Sequence, residues 1–232
     1  MNDLWQRVLV RTPDPLRRAL RTAQLAWQIR RGGFRTDEPE FDRLADWIAP
    51  GDWVLDVGAN LGHYTARLAA LVGERGRVLA FEPVPDTFEW LAANVRRAGL
   101  RNVSLFNAAA CDRCGLVGMT VPAFPSGWPN PYEARVAAAP GALTVLGLAI
   151  DALAIPAPVA LVKIDVEGHE LPALRGMRGL LERDRPTLIV ETGSPEVDAW
   201  LGALGYRGER LPGSPNRVYA GNASARCRIA SP

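Results

Sequence analysis

Lysine is nearly missing from this chain of 232 residues: Lys163 is the only one, and the other 26 of the 27 basic Lys and Arg side chains are arginine. Cysteine is scarce as well, and three residues are too few for a disulfide framework, which indicates a reducing compartment. Cys111 and Cys114 have no second pair to complete a metal site, so we expect ordinary buried thiols. A net charge of +2 gives no general attraction to nucleic acid, and we expect no such partner.

Long apolar runs are missing too. No stretch reaches the about 18 residues that a membrane span needs, and the first residues, MNDLWQRVLVRTPDP, lack the apolar region of a signal peptide. We therefore expect a cytoplasmic protein without a transmembrane segment. Hydrophobic residues make up 48% of the chain, which is enough to build the core of one domain.

Residues 1–36 form an arginine-rich arm in which apolar residues recur at helical spacing. Pro13 and Pro15 separate a first helix from a second, and Gly32 and Gly33 end the second. This pattern predicts two amphipathic helices packed on the domain that follows. Three further roles stay open for the arm: a lid over a binding site, a contact in a homodimer, or a basic face on an anionic membrane surface.

Residues 37–222 alternate between strand patterns and helical periods, which predicts one α/β domain, and residues 223–232 form a short tail. The predicted strands are Trp53–Val57, Arg77–Phe81, Val103–Phe106, Leu161–Ile164, Thr187–Glu191, Tyr206–Leu211 and Arg217–Ala220. The predicted helices are Leu61–Val72, Asp86–Ala98, Glu170–Leu181 and Pro195–Leu204. Such alternation is typical of a doubly wound, mainly parallel sheet, which binds ligands beyond the carboxyl ends of its strands.

The stretch 107–160 interrupts this alternation, with prolines concentrated around the sequence FPSGWPNPYE. Because proline cannot take part in a central strand, we expect an irregular hairpin inserted over one edge of the sheet. Long loops at the ligand end of a sheet often carry binding residues. Trp128 and Tyr132 are therefore candidates to cover a substrate, although two aromatic side chains that pin the loop to the domain would give the same pattern.

The sequence VLDVGANLGHYT places Asp56, Gly58, Asn60 and Gly62 where the first strand turns into a helix. Glycines at such a turn let the backbone approach a ligand closely. The spacing is not the full G-x-G-x-x-G dinucleotide pattern, and a carboxylate beside the turn is unfavourable for a pyrophosphate. Asp56 instead suits a ligand that carries a cation, such as the ammonium group of an amino acid.

Glu82 ends the second predicted strand, in the sequence VLAFEPVPDTFEWLAANV. A carboxylate at this position can accept hydrogen bonds from both hydroxyls of a ribose. Asp56, the glycine turn and Glu82 together predict a nucleoside that bears a zwitterionic amino acid, which describes S-adenosylmethionine. The alternatives are a nicotinamide-dependent dehydrogenase, which the broken dinucleotide pattern argues against, and a non-catalytic nucleotide-binding protein, which intact carboxylates at three strand ends argue against.

Lys163 lies in the sequence LVKIDVEGHE, on a strand whose tip is Asp165. Side chains alternate along a strand, so Lys163 and Asp165 point to the same side. A compact ammonium group beside Asp165 would hold that carboxylate ionised and oriented, which explains a lysine where the chain otherwise uses arginine. A lysine retained by chance would give the same sequence. The residues that follow lack the dense ligand spacing of a metal site, so we predict no metal.

Three stretches, VLDVGANLGHYT, FEPVPDTFEWLAANV and LVKIDVEGHELPALRGMRGLLERDRPTLIVE, resemble the FkbM-type methyltransferases, and the resemblance extends over about residues 45–192. It implies an S-adenosylmethionine-dependent enzyme with the class I methyltransferase fold, a Rossmann-like sheet of seven strands in which the last strand is antiparallel. It also implies methyl transfer to a hydroxyl of a small-molecule acceptor, such as a sugar, a polyketide or another secondary metabolite.

The resemblance assigns roles to individual residues. It implies that Asp56, Gly58, Asn60 and Gly62 surround the methionine part of the cofactor, that Glu82 binds the ribose, and that Asn107 and Ala108 lie near the adenine. It places Asp165 beside the methyl group and the acceptor. We predict Asp165 as the base that accepts the hydroxyl proton, with His169 or His63 as second choice and Lys163 as its partner. We also predict that His63 and Glu191 contact the acceptor.

Overall fold

The computed structural model of the chain describes residues 14–123, 130, 134–137 and 143–221. The predicted first helix of the arm, Trp128, Tyr132 and the tail 223–232 lie outside the described residues. Within them, the chain alternates strands and helices from Trp53 onward, as the hydrophobic pattern predicts.

Seven strands form the central sheet, in the order β10-β11-β9-β8-β1-β2-β3. Their bounds are β1 Trp53–Val57, β2 Arg77–Phe81, β3 Val103–Phe106, β8 Val159–Ile164, β9 Thr187–Glu191, β10 Tyr206–Arg210 and β11 Asn216–Gly221. Strand β11 runs antiparallel to both of its neighbours, β9 and β10, whereas β3, β2, β1, β8 and β9 pair in parallel. The sheet with an antiparallel last strand, which the resemblance implies, is therefore confirmed.

Helices cover both faces of this sheet and bury its inner strands on both sides. These strands accordingly carry nearly continuous apolar runs. One face packs against α2 (Pro39–Arg43), a short 3₁₀ turn at Leu44–Asp46, and α3 (His63–Val72). The other packs against α5 (Glu170–Arg175), α6 (Arg178–Asp184) and α7 (Pro195–Ala203). Helix α4 (Pro85–Arg97) follows β2, and the arm helix α1 (Asp14–Arg31) packs on α4.

The single helix predicted over Glu170–Leu181 is wrong, because the structure divides it into α5 and α6 at Gly176 and Met177. At this break the backbone of Gly176 passes so close to Cys111 that a Cβ atom would lie 1.8 Å from the carbonyl oxygen. A continuous helix could not make this close contact between Gly176 and Cys111. The helical periodicity over Glu170–Leu181 does not indicate the break, and Gly176 is its only signal in the sequence.

The irregular hairpin predicted for 107–160 is also wrong. This stretch forms a second sheet of four strands in the order β4-β7-β5-β6, with bounds β4 Ala108–Ala110, β5 Gly115–Thr120, β6 Arg135–Ala137 and β7 Leu143–Leu148. The prolines explain the error, because they lie between these strands and not within them. Met119, Val145 and Cys111 form a small core on the inner side of this sheet, next to the carboxyl end of β2.

No helix within the described part of the chain combines the length and the apolar character needed to cross a bilayer.

Candidate active site

A cavity of about 190 Å³ opens where β1, β2 and β8 end, and the second sheet forms its far wall. Six of the predicted site residues line it: Gly58, Asn60, Glu82, Ala108, Asp165 and His169. This is the position that a doubly wound sheet provides for a ligand, beyond the carboxyl ends of its strands. The remaining predicted residues within the described chain lie outside its wall, and the contacts of each are given below.

The turn after β1 is fixed by left-handed backbone angles and by a hydrogen bond to Glu82. Gly58 and Asn60 both have positive φ angles, of 83° and 49°. The N–H of Asn60 donates to Oε2 of Glu82 at 3.0 Å, which ties the first strand end to the second. The side-chain oxygen of Asn60 is buried and has no hydrogen-bond partner among the described residues. An unpaired buried acceptor at a cavity wall is a position that a ligand donor can satisfy.

Glu82 is the centre of this arrangement. Its second oxygen, Oε1, accepts the N–H of Val84 at 2.9 Å, so both carboxylate oxygens already hold one backbone donor each. Each oxygen keeps a further lone pair for a ligand hydroxyl. Burial raises the pKa of Glu82 to about 7, although the two backbone N–H groups oppose this rise. Glu82 therefore changes charge near neutral pH.

Asp56 lies behind the cavity wall and is almost fully buried. Its Oδ2 accepts a hydrogen bond from the hydroxyl of Thr65 on α3 at 2.5 Å. Burial raises the pKa of Asp56 to about 6, and the hydrogen bond from Thr65 and the charge of Lys163 partly oppose the rise. Asp56 thus holds the turn and the start of α3 together, and it adds negative potential to the site from behind.

Gly62 and Asn107 contact other parts of the protein and do not line the cavity. Gly62 begins α3 with a φ of 93°, and a Cβ there would lie 2.7 Å from Cδ1 of Leu91. The side-chain nitrogen of Asn107 donates to the carbonyl oxygens of Glu82 and Pro83, at 2.8 and 3.0 Å. Asn107 therefore braces the loop that follows Glu82, and its neighbour Ala108 lines the cavity.

Asp165 and Glu191 form a pair of carboxyl groups at neighbouring strand ends. They follow Ile164 and Val190, which are aligned across β8 and β9. The two side chains are hydrogen-bonded to each other, and burial together with the charge of Asp165 raises the pKa of Glu191 to about 7. Asp165 lines the cavity, whereas Glu191 is not part of its wall.

Lys163 has a different main partner from the one predicted. Its Nζ lies 3.7 Å from Oδ2 of Asp165, which is a long ion pair, but it donates to Oδ1 of Asn216 at 2.9 Å. The ammonium also lies 5.2 Å from the ring centre of Tyr64. Lys163 is 1% exposed, so these contacts replace its hydration.

The two histidines occupy different places. His169 lines the cavity, and its Nε2 lies 3.5 Å from Sγ of Cys111. Burial lowers the pKa of His169, and Asp112 partly opposes that effect. His63, predicted to contact the acceptor, stacks on the ring of Phe34 with centroids 4.2 Å apart and lies outside the cavity wall.

The two described cysteines differ in exposure. Cys111 is buried as expected, but Cys114 is exposed, because it lies in the bend between β4 and β5. Within the ranges that the structure describes, no group of three or more His, Cys, Asp or Glu side chains is arranged to hold a metal ion.

The sequence reasoning gave no wall role to several residues, and Glu167, Met119 and Val136 are the most informative of them. Glu167 has a φ of 50° in the turn after β8, and the V-E-G-H sequence is the only signal for that turn. Met119 and Val136 come from the second sheet, in the stretch for which the sequence predicts an irregular hairpin. Their side chains form an apolar wall of the cavity, whereas Glu82, Asp165 and Glu167 form an acidic one.

Residues 56–209 match the family described as the methyltransferase FkbM domain. A hexuronic acid methyltransferase, AglP, from Haloferax volcanii is 32% identical over 163 residues, which cover 67% of this chain and 62% of that protein. A protein-L-isoaspartate O-methyltransferase from Triticum aestivum is 34% identical over 93 residues, which cover 39% of this chain and 37% of that protein. The chain thus spans less than two thirds of the length of either relative.

Among solved structures, the methyltransferase FkbM from Methylobacillus flagellatus KT superposes with a TM-score of 0.54 and 18% identity, over 73% of this chain and 43% of that chain. At this identity the likeness concerns the fold, and it confirms the predicted α/β class with a mainly parallel sheet of seven strands.

Proposed function

This chain belongs to the FkbM methyltransferase family, and from that membership we propose that it transfers the methyl group of S-adenosylmethionine to a hydroxyl of a small-molecule acceptor. The acceptor class we propose is a sugar or another secondary metabolite. The hexuronic acid relative supports a sugar, because its name describes a sugar acid as substrate.

The single observation that carries the proposal is a surplus of hydrogen-bond acceptors around the cavity. Glu82, Asp165 and the unpaired oxygen of Asn60 all lie in its wall, and Asp56 adds a buried carboxyl group behind them. A ligand that fits must supply donors and positive charge. S-adenosylmethionine supplies both, through two ribose hydroxyls, an ammonium group and a sulfonium centre.

The residues present fit this cofactor. Glu82 would hold the ribose, Ala108 and the apolar wall from Met119 would contact the adenine, and Asn60 would accept from the ammonium group. The cavity is smaller than the roughly 300 Å³ at which pockets for drug-sized ligands begin. We therefore expect it to hold part of the cofactor and to widen on binding.

In the proposed reaction, bound S-adenosylmethionine supplies an electrophilic methyl group with a good leaving group. The chain must then align the acceptor oxygen and remove its proton. Asp165 is the base we propose, because it lines the cavity while Glu191 and Lys163 contact it from behind. Asp165 would accept the hydroxyl proton as the acceptor oxygen takes the methyl group, with the carbon–sulfur bond breaking and S-adenosylhomocysteine left as the other product. His169 is the second candidate.

Calorimetric titration with S-adenosylhomocysteine tests the cofactor assignment. We expect micromolar binding that a chelator leaves unchanged, and no binding of a nicotinamide dinucleotide. Glu82→Gln should weaken binding by at least tenfold, because an amide offers the ribose hydroxyls one acceptor oxygen instead of two, and a hydrogen bond to a charged group contributes about 1.5–3 kcal/mol. Glu74→Gln, in an exposed turn, is the matched control. Absence of binding by the wild type would refute the proposal.

The acceptor class is tested separately, by screening neutral sugars, sugar acids and small phenols for methylation with labelled S-adenosylmethionine. Turnover with a sugar hydroxyl supports the proposal. Methylation only at nitrogen, or of none of these classes, would contradict it.

A further inference from the structure

Residues Phe34–Phe41 precede the part of the chain that matches the family, yet they contact the start of α3 beside the glycine turn. The ring of Phe34 stacks on His63, and the ring of Phe41 meets Tyr64 edge-on with centroids 5.2 Å apart. We name this segment the clasp. Its two aromatic contacts hold it against the first turn of α3.

Two carboxylates of the clasp converge on one amide. The side-chain nitrogen of Asn216, at the start of β11, donates to Oε1 of Glu40 and to Oε2 of Glu38, the latter at 3.3 Å. The hydroxyl of Tyr64 donates to the same oxygen of Glu38. Glu40 and Asn216 are both fully buried. The second oxygen of Glu40 has no hydrogen-bond partner within the described chain, so Asn216 is its anchor.

This arrangement fixes which way the amide of Asn216 points. Its nitrogen faces the two carboxylates, so its oxygen faces the opposite side, where it accepts from Nζ of Lys163. A flipped amide would direct its N–H groups at an ammonium and its oxygen at carboxylates, which is unfavourable on both sides. The amide therefore bridges the carboxyl groups of Glu38 and Glu40 on one side and the buried ammonium of Lys163 on the other.

The bridge ends at the proposed base. Nζ of Lys163 lies 3.7 Å from Oδ2 of Asp165. Lys163 is buried, so protein groups and not water hold its ammonium in place. We propose that the clasp is a positioning device for the active site: Glu38 and Glu40 orient Asn216, Asn216 orients Lys163, and Lys163 orients Asp165. The proposal rests on the proposed function only in the last of these steps, where Asp165 acts on the acceptor.

The same chain of contacts explains why a lysine stands here. A single compact ammonium can meet one amide oxygen, one aromatic face and one carboxylate in a tight space, whereas a planar guanidinium needs partners in its own plane. Removing Glu40 would leave the amide free to turn, and the buried ammonium would lose its shortest hydrogen bond.

The single lysine makes a direct test possible. A full-length protein grown with ¹³C,¹⁵N-labelled lysine and carrying a lysine-free tag gives one side-chain spin system by NMR, that of Lys163. In the wild type we expect a slowly exchanging ammonium signal, because Nζ is buried and hydrogen-bonded. Glu40→Ala and Glu38→Gln should shift the Cε signal and abolish the ammonium signal. Asp46→Asn is the matched control, since Asp46 lies beyond the clasp and pairs with Arg43, which is also outside it.

A Lys163 spectrum that is unchanged in both Glu40→Ala and Glu38→Gln overturns the proposal. If Glu40→Ala does not fold, Glu38→Gln and Asn216→Ser carry the test alone, because Asn216→Ser removes the amide and leaves both carboxylates.

Titration with S-adenosylhomocysteine separates this proposal from the proposed function. We expect the clasp variants to keep their affinity within about threefold, because no clasp residue lines the cavity. Loss of the lysine signal with intact affinity supports a positioning role. A normal lysine signal in a wild type that binds no S-adenosylhomocysteine would refute the proposed function and leave the clasp contacts standing, and a tenfold loss of affinity in the variants would assign them to cofactor binding instead.

Discussion

Gly58 and Asp165 touch where β1 and β8 end: a Cβ atom on Gly58 would lie 1.8 Å from the carbonyl oxygen of Asp165. The glycine therefore serves the contact between two strand ends, in addition to any approach of a ligand. It sets the distance between the turn that carries Asn60 and the strand tip that carries the proposed base.

Gly58→Ala should consequently destabilise the protein and displace Asp165. Overpacking at a site that cannot relax costs about 1–3 kcal/mol, and a non-glycine residue at positive φ adds about 1–2 kcal/mol. Gly99→Ala is the matched control, because Gly99 at the end of α4 also has a positive φ, of 67°, but a Cβ there meets nothing within 4 Å. Urea unfolding of both variants isolates the clash as their difference. Equal losses of stability would mean that the strand ends move apart without cost.

The accuracy of prediction from sequence follows the range of the interactions involved. Asp56, Glu82 and Asp165 end strands whose apolar runs are local patterns, so their convergence at one edge of the sheet could be predicted. The partner of Lys163 could not, because Asn216 is 53 residues away and reaches it from an antiparallel strand. The second sheet was missed for a related reason, since prolines in its connections concealed short strands that pair across long loops.

The buried carboxyl group of Asp56 should make stability depend on pH. Its pKa of about 6 in the folded state lies above the ordinary 3.8, so the folded protein binds this proton more tightly than the unfolded chain does. The contribution to stability is fully present below about pH 4 and is lost as the pH rises through about 6. Asp56→Asn has no such proton.

The free energy of unfolding of Asp56→Asn relative to the wild type should therefore rise by about 2–3 kcal/mol between about pH 4 and about pH 8. Urea unfolding at several pH values measures this difference, and Asp46→Asn, which changes an exposed carboxylate, should follow the wild type. A difference that stays constant with pH would show that Asp56 is ionised throughout.

The Asp165–Glu191 pair should make the cofactor preference depend on pH. Ionisation of Glu191, with its pKa of about 7, gives the pair a second negative charge as the pH rises. S-adenosylmethionine carries a sulfonium charge that S-adenosylhomocysteine lacks. The ratio of their affinities should therefore rise in favour of the methyl donor as the pH rises through about 7, because opposite charges attract and the sulfonium is the charge that differs between the two ligands.

Calorimetry with both ligands at pH values on either side of 7 measures this ratio, and Glu191→Gln should reduce its slope. Any slope that remains in the variant reports Glu82 and Asp56, whose pKa values are raised to about 7 and about 6. A slope that is unchanged by Glu191→Gln would exclude the pair as its source.

His169 should remain neutral at neutral pH, which is the condition for it to accept a proton. Burial lowers the pKa of His169 below its ordinary 6.5, and Asp112 partly opposes this shift. The chain has two histidines, so an NMR titration of the imidazole carbons gives two curves, and the curve that disappears in His63→Gln belongs to His63. The other curve should have its midpoint below 6.5, and Asp112→Asn should move it lower still, because the opposing charge is gone.

Cys111→Ala removes the thiol 3.5 Å from Nε2 and frees the ring to turn, so methyl transfer by this variant helps to decide whether His169 or Asp165 is the base. If Cys111→Ala lowers methyl transfer while Asp165→Asn does not, the proton goes to His169. If only Asp165→Asn lowers it, the imidazole is a wall of the cavity and the carboxyl pair is the base. A midpoint for His169 at or above 6.5 would contradict the prediction, because an imidazole that keeps its ordinary pKa is one that water still reaches.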